Sequence, residues 1–161
     1  MYQINDLLVY KKDVCEVKEI KQKYLRDVDY YVLSPINDKT LNIHVPTNSP
    51  YIRSLINKER VEEIIKSIPQ IEIIKSDSKN LENDYKQLMQ NGTHEDLIKI
   101  IKTTYLRNKE RLDNNKKTTD KDNYYFNQAE SYLYNELSIV LNLTYDETKE
   151  YILKKVNELN Q

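Results

Sequence analysis

The residues of this chain that could do chemistry are its carboxylates, a few nucleophiles, two histidines and a run of cations. Aspartate and glutamate number 26. Those in helical stretches fall opposite the apolar positions, as on a solvated helix face, so no acid/base couple is expected. Ser131 and Ser138 have no histidine in local reach, and Cys15 lies inside a strand-like run, where it reads as a small core residue. His44 and His94 stand far apart, so a histidine-held metal is not expected. His94 falls in the first turn of a helix, as a surface histidine would. His44 alternates outward from a face made by Leu41, Ile43 and Val45, which places it for contact with a partner.

The cations are unevenly spread. Positions 99–121 hold eight basic residues, among them Arg107, Lys109, Lys116 and Lys117, against three acidic ones, in a chain whose formal charge is −1. Such a stretch can neutralise several phosphates and give salt-sensitive, sequence-independent affinity for nucleic acid. The same residues also fit a solvated helix face and loop. Tyr124, Tyr125 and Phe126 fit a helix stripe better than a base-stacking platform.

Composition excludes several classes. The single glycine, Gly92, rules out a phosphate-cradling loop and a dinucleotide fingerprint, which need several glycines. One cysteine rules out an internal disulfide framework and suggests a reducing compartment. No apolar run approaches the roughly 20 residues of a membrane span. Met1–Asp6 has neither a basic nor an apolar leader region. The expectation is a soluble cytoplasmic protein that is not an enzyme, with no cofactor, no metal, no small-molecule substrate and no membrane partner.

Two periodicities must position these residues. From Leu7 to about Val45 the apolar residues come in short, often alternating runs: Leu7–Tyr10, Val14–Ile20, Tyr30–Leu33 and Leu41–Val45. They predict a small, strongly bent antiparallel sheet or barrel of four or five strands. After Pro46 and Pro50 the spacing becomes helical. Asn57 caps a first helix with Val61, Ile64, Ile65 and Ile68 inward, stopped by Pro69. A polar stretch, Lys75–Asn80, precedes a second helix bearing Leu81, Tyr85, Leu88 and Met89, which ends at Gly92. Thr93 caps a third, with Leu97, Ile98, Ile101 and Tyr105 as its stripe. Thr119 and Thr144 open two more, the latter with a full capping box to Glu147. The fold class is α+β: a β domain over 1–52, then an all-α domain of about five helices over 53–161.

The order of these parts resembles the CarD/CdnL family of bacterial transcription regulators. Asp6-Leu7-Leu8-Val9-Tyr10 matches the family's D-x-V-V-Y start, and Ile43-His44-Val45-Pro46 its I-x-V-P strand end. Ala129 through Leu137 is similar to its A-x-x-x-L-x-x-E-L-A helix. The resemblance implies a Tudor-like β domain that binds the β subunit of RNA polymerase, with Lys23, His44, Val45 and Pro46 at the contact. It also implies a helical domain that touches promoter DNA without reading sequence and holds the open complex. There Leu81 takes the place of the family's wedging tryptophan, and Lys86, Arg107, Lys109, Lys116 and Lys117 supply charge. The chain has no tryptophan, and Asn83 and Asp84 stand where the family carries arginines. The alternative expectation is therefore a polymerase-binding or other protein-binding adaptor that has lost direct DNA contact.

Overall fold

Short alternating runs with polar turns commit the first part of the chain to strands. The computed structural model, which describes residues 1–75 and 79–160, builds them as β1 (Leu7–Tyr10), β2 (Asp13–Leu25), β3 (Val28–Pro35), β4 (Ile43–Pro46) and β5 (Ile52–Arg53). All neighbours are antiparallel, in the order β4-β3-β2-β1-β5, so the sheet is open, with β4 and β5 as its edges. Leu8, Cys15, Val17, Tyr31, Leu33 and Val45 are buried together on one face, and Tyr10, Ile20, Ile43 and Ile52 pack against them. Leu41 is not part of that face. It precedes β4 and is 48% exposed.

β2 runs five residues past the expected end at Ile20, and the reason lies in its backbone. Two irregularities, between Val17 and Glu19 and between Lys21 and Leu25, let the strand bend without leaving its partner. A two-residue turn, Arg26-Asp27, then joins it to β3 with both residues left-handed (φ 52° and 59°). Neither is the glycine or asparagine that usually announces such a turn.

The helical part follows its local signals closely. It comprises α1 (Lys58–Ser67), α2 (Leu81–Asn91), α3 (His94–Asp113), α4 (Asp120–Leu141) and α5 (Tyr145–Leu159), with a short 3-10 turn at Ile68–Gln70. The side chains of Asn57, Thr93, Thr119 and Thr144 each accept an N–H of the first turn, and Thr144 with Glu147 forms the full capping box. Gly92 is left-handed (φ 64°) at the end of α2. Within the polar stretch before α2, positions 76–78 lie outside the described residues. The chain forms two compact units, Met1–Leu55 and Ile56–Gln161. The first extends past residue 52 because β5 pairs back onto β1.

The helical core gathers Val61, Ile64 and Ile65 of α1, Tyr85 of α2, Leu97, Ile98 and Ile100 of α3, and Ala129, Leu133 and Leu137 of α4. Tyr105 departs from the expected stripe of α3: Ile100 is buried instead, and Tyr105 is 57% exposed.

Candidate functional site

Each unit presents one surface suited to a partner. In the β unit it is the β4 edge with the aromatic patch beside it. Thr47 N–H donates to the Asp29 carbonyl (2.9 Å), which makes the 29/47 pair hydrogen-bonded. By alternation, the His44/Val32 and Pro46/Tyr30 pairs are the non-bonded ones. The backbone groups of His44 and Pro46 therefore face away from the sheet. The edge offers the N–H and the carbonyl of His44; the Pro46 carbonyl already accepts the Ser49 N–H (3.0 Å), and the proline ends the edge there.

The irregularity in β2 aims side chains at the same place. Lys23, left-handed at φ 47°, donates its N–H to Asp29 Oδ1 (2.9 Å), which fastens the bulge. Tyr24 is thereby set with its ring stacked on His44 (centroids 5.3 Å apart, planes 24° off) and edge-on to Tyr30 (5.3 Å). Lys21 Nζ lies 4.9 Å from the Tyr24 centroid. Lys23, Tyr24, Leu25 and His44 are all exposed. Val45 is not: at 2% exposure its side chain belongs to the sheet core, so only its neighbours can meet a partner by side chain. Lys21 and Tyr24 are the members sequence spacing did not single out, because the bulge that positions them has no local signature.

In the helical unit the candidate surface is the turn from α3 to α4. Asn115 is left-handed (φ 60°), its N–H donates to the Leu112 carbonyl, and Lys116 N–H donates to the Arg111 carbonyl (2.8 Å). This is a Schellman motif with asparagine in the glycine position. Arg111 Nε donates in turn to the Lys117 carbonyl (2.6 Å). The motif folds Lys116 and Lys117 back beside Arg111; Lys109, Lys116 and Lys117 are exposed and Arg111 is half-buried. A recess of about 210 Å³ is lined by Arg107, Glu110, Arg111, Asn114 and Lys116. Arg111 belongs with the expected set although only its neighbours were singled out.

Other expected DNA contacts lie elsewhere. Leu81, the expected apolar wedge, is 3% exposed and packed in the helical core, so it cannot enter a groove. Lys86 is exposed on α2 and pairs with Glu82 (3.8 Å), which also meets Lys121 (3.7 Å). Arg107 is turned to structure: its Nε donates to Asp122 Oδ2 (3.1 Å), while Tyr85 Oη donates to Asp122 Oδ1 (2.9 Å). Burial and that bond push the Tyr85 hydroxyl well above its ordinary range.

Asp122 corrects the reading of helical carboxylates as solvated. It is 1% exposed, Glu130 7% and Glu136 2%, all on α4. Glu136 accepts Ile56 N–H (3.0 Å) and lies 2.8 Å from His94 Nε2, so His94 is a largely buried partner rather than a surface residue. Glu130 is met by Lys149 Nζ (2.8 Å) and by Tyr145 Oη (3.2 Å). Each acid is hydrogen-bonded by its own partners, as a buried polar group must be. Among the described residues no group of three or more His, Cys, Asp or Glu is placed to hold a metal ion, and no helix is long and apolar enough to cross a membrane. No protein-family model and no curated protein matches the chain.

Proposed function

We propose that this chain is a non-enzymatic transcription regulator of the CarD/CdnL type, acting in the bacterial cytoplasm. Its β unit, read as Tudor-like, binds the β subunit of RNA polymerase. The observation that carries the reading is the β4 edge. Its outward His44 backbone groups accept an added strand, and Lys21, Lys23 and His44 stand beside it to orient acidic side chains of that strand. The helical unit contributes non-sequence-specific contact to promoter DNA through Lys109, Arg111, Lys116 and Lys117. Holding the open complex by about 1.4 kcal/mol shifts its population tenfold.

The second reading is an adaptor that binds polymerase, or another protein, and leaves DNA alone. The burial of Leu81 and the engagement of Arg107 by Asp122 favour it.

Two titrations test both. Calorimetry against an isolated β-lobe fragment should give saturable binding, weakened at least about tenfold in a Lys23→Glu/His44→Glu variant. Absence of binding at high micromolar concentration removes the polymerase reading. With polymerase present, Lys116→Glu/Lys117→Glu should lower the salt slope of promoter binding by roughly two. An unchanged slope selects the adaptor.

A further inference from the structure

In the helical unit, α3 and α5 both pack against α4 without substantial packing against one another. The space between them is a trough of about 470 Å³. Ile98 and Ile101 of α3, Leu133 and Leu137 of α4, and Ile152 of α5 line it, so it reaches down to the core. Its lips are Tyr105 and Leu153, 57% and 62% exposed, large apolar side chains that a closed bundle would cover.

The charged groups lining it are Lys102, Lys149 and Glu130. Glu130 and Lys149 balance each other at 2.8 Å. Lys102 has no such partner. Its Nζ donates to the Ile68 carbonyl (2.8 Å) and the Ile71 carbonyl (2.6 Å), both neutral, and it makes no ion pair among the described residues. One ammonium donor remains, at the wall of an apolar channel, and no carboxylate among the described residues meets its charge.

A deep apolar trough with a single unbalanced cation fits a ligand with one long apolar chain and one negative charge. We infer that the trough binds a single-chain anionic amphiphile, of the long-chain carboxylate class, with its chain between α3 and α5 and its headgroup on Lys102. The chain would cover Tyr105 and Leu153, and the carboxylate would supply the charge-assisted bond that Lys102 lacks. Nothing here depends on polymerase or DNA binding.

Calorimetric titration of the full chain with dodecanoate, below its micelle concentration, tests this directly. The expected result is one saturable site per chain. Decanoate should bind about fourfold more weakly per methylene removed. Dodecyltrimethylammonium, with the same chain and opposite charge, should not saturate. Lys102→Met should weaken dodecanoate roughly tenfold or more. Should Lys102→Met fail to fold, Leu153→Glu carries the test, because an exposed side chain can be changed without disturbing the core. It should also weaken binding at least about tenfold, with unchanged circular dichroism. The inference is overturned by equal binding of the two headgroups, by indifference to Leu153→Glu, or by no amphiphile binding at all. Selective uptake of an acidic amphipathic model peptide instead would make the trough a helix-docking groove and equally overturn it.

Discussion

The two units handle polar groups in opposite ways. The β unit buries the hydroxyl of Ser34 but keeps charge out of its interior among the described residues, and it sets cations and aromatic rings outside, around the β4 edge. The helical unit draws three carboxylates of α4 inside and balances each with partners from other parts of the chain. The difference decides which charges remain for a partner. Lys21 and Lys23 spend little on their own fold, whereas Arg107 is bound to Asp122 and Lys121 to Glu82, which leaves the exposed Lys109, Lys116 and Lys117 for a partner on that side.

Alkaline pH should separate the units most strongly. One ionisable side chain of the sheet core, Cys15, is kept neutral: burial, then the charge of Asp13, pushes its thiol from 9.0 to about 12. Below pH 9 both states hold the proton and the stabilisation is complete. Above it the unfolded chain loses the proton first, so stability falls as pH rises toward 12, by up to about 4 kcal/mol. In the helical unit the corresponding groups are tyrosines. Tyr134, by burial, and Tyr151, through its bond to Glu62, rise from 10.0 to about 12, so their loss begins one unit later. Labelling of Cys15 by a thiol reagent should therefore accelerate before the far-ultraviolet helix signal fades, and Cys15→Ala should delay loss of the sheet. Loss of both signals together in the parent chain would break the comparison.

That contrast also marks what was legible in the sequence. Asn57, Gly92, Thr93, Thr119 and Thr144 could be read as helix ends because a cap is decided within a few residues. The interior charges could not. Asp122 meets Arg107 across 15 positions and Glu136 meets His94 across 42, and no local pattern records either pairing. In the sheet, the paired faces followed from alternation, while the Lys21–Leu25 irregularity and the Arg26-Asp27 turn did not, since neither holds the glycine or asparagine that usually marks a left-handed position. The candidate site split the same way. His44 was found by alternation, and Tyr24 and Lys21 needed the bulge. Leu81 and Val45, each chosen for its place in a motif, proved to be core residues.

A smaller effect sharpens the comparison from the helical side. Asp122→Ala removes the acceptor for both Tyr85 and Arg107 and should cost about 3 kcal/mol, read as a lower urea midpoint with unchanged slope. The matched change in the β unit, Asp29→Ala, deletes an exposed bond to the Lys23 N–H and should cost about 1 kcal/mol or less. Equal losses would mean that the buried network is no more demanding than the surface one. Arg107→Ala in the Asp122→Ala background should add less than it does alone, because the guanidinium has already lost its partner.

The smallest effect concerns backbone rather than charge, and there too the units differ. Among the described residues, the left-handed ones in the helical unit are Gly92, Asn115 and Asn142, which tolerate that conformation; in the β unit they include Lys11, Lys23 and Arg26. Lys11 is the first residue of the two-residue turn between β1 and β2, at φ 58°, where its Cβ is unfavourable. Two contacts oppose that strain: Lys11 Nζ lies 5.4 Å from the Tyr10 ring and 5.8 Å from the Tyr51 ring. Glycine relieves the strain by about 1 kcal/mol but forfeits the cation–π contacts, each about 0.5 kcal/mol at an exposed site, and gains freedom in the unfolded chain. Lys11→Gly should therefore move the urea midpoint little. Lys11→Asn, which tolerates the turn without glycine's unfolded-state freedom, should be the more stable of the two variants. If both variants are clearly less stable than the parent, the two tyrosine rings outweigh the strain, and the lysine is held in the turn by its side chain rather than despite it.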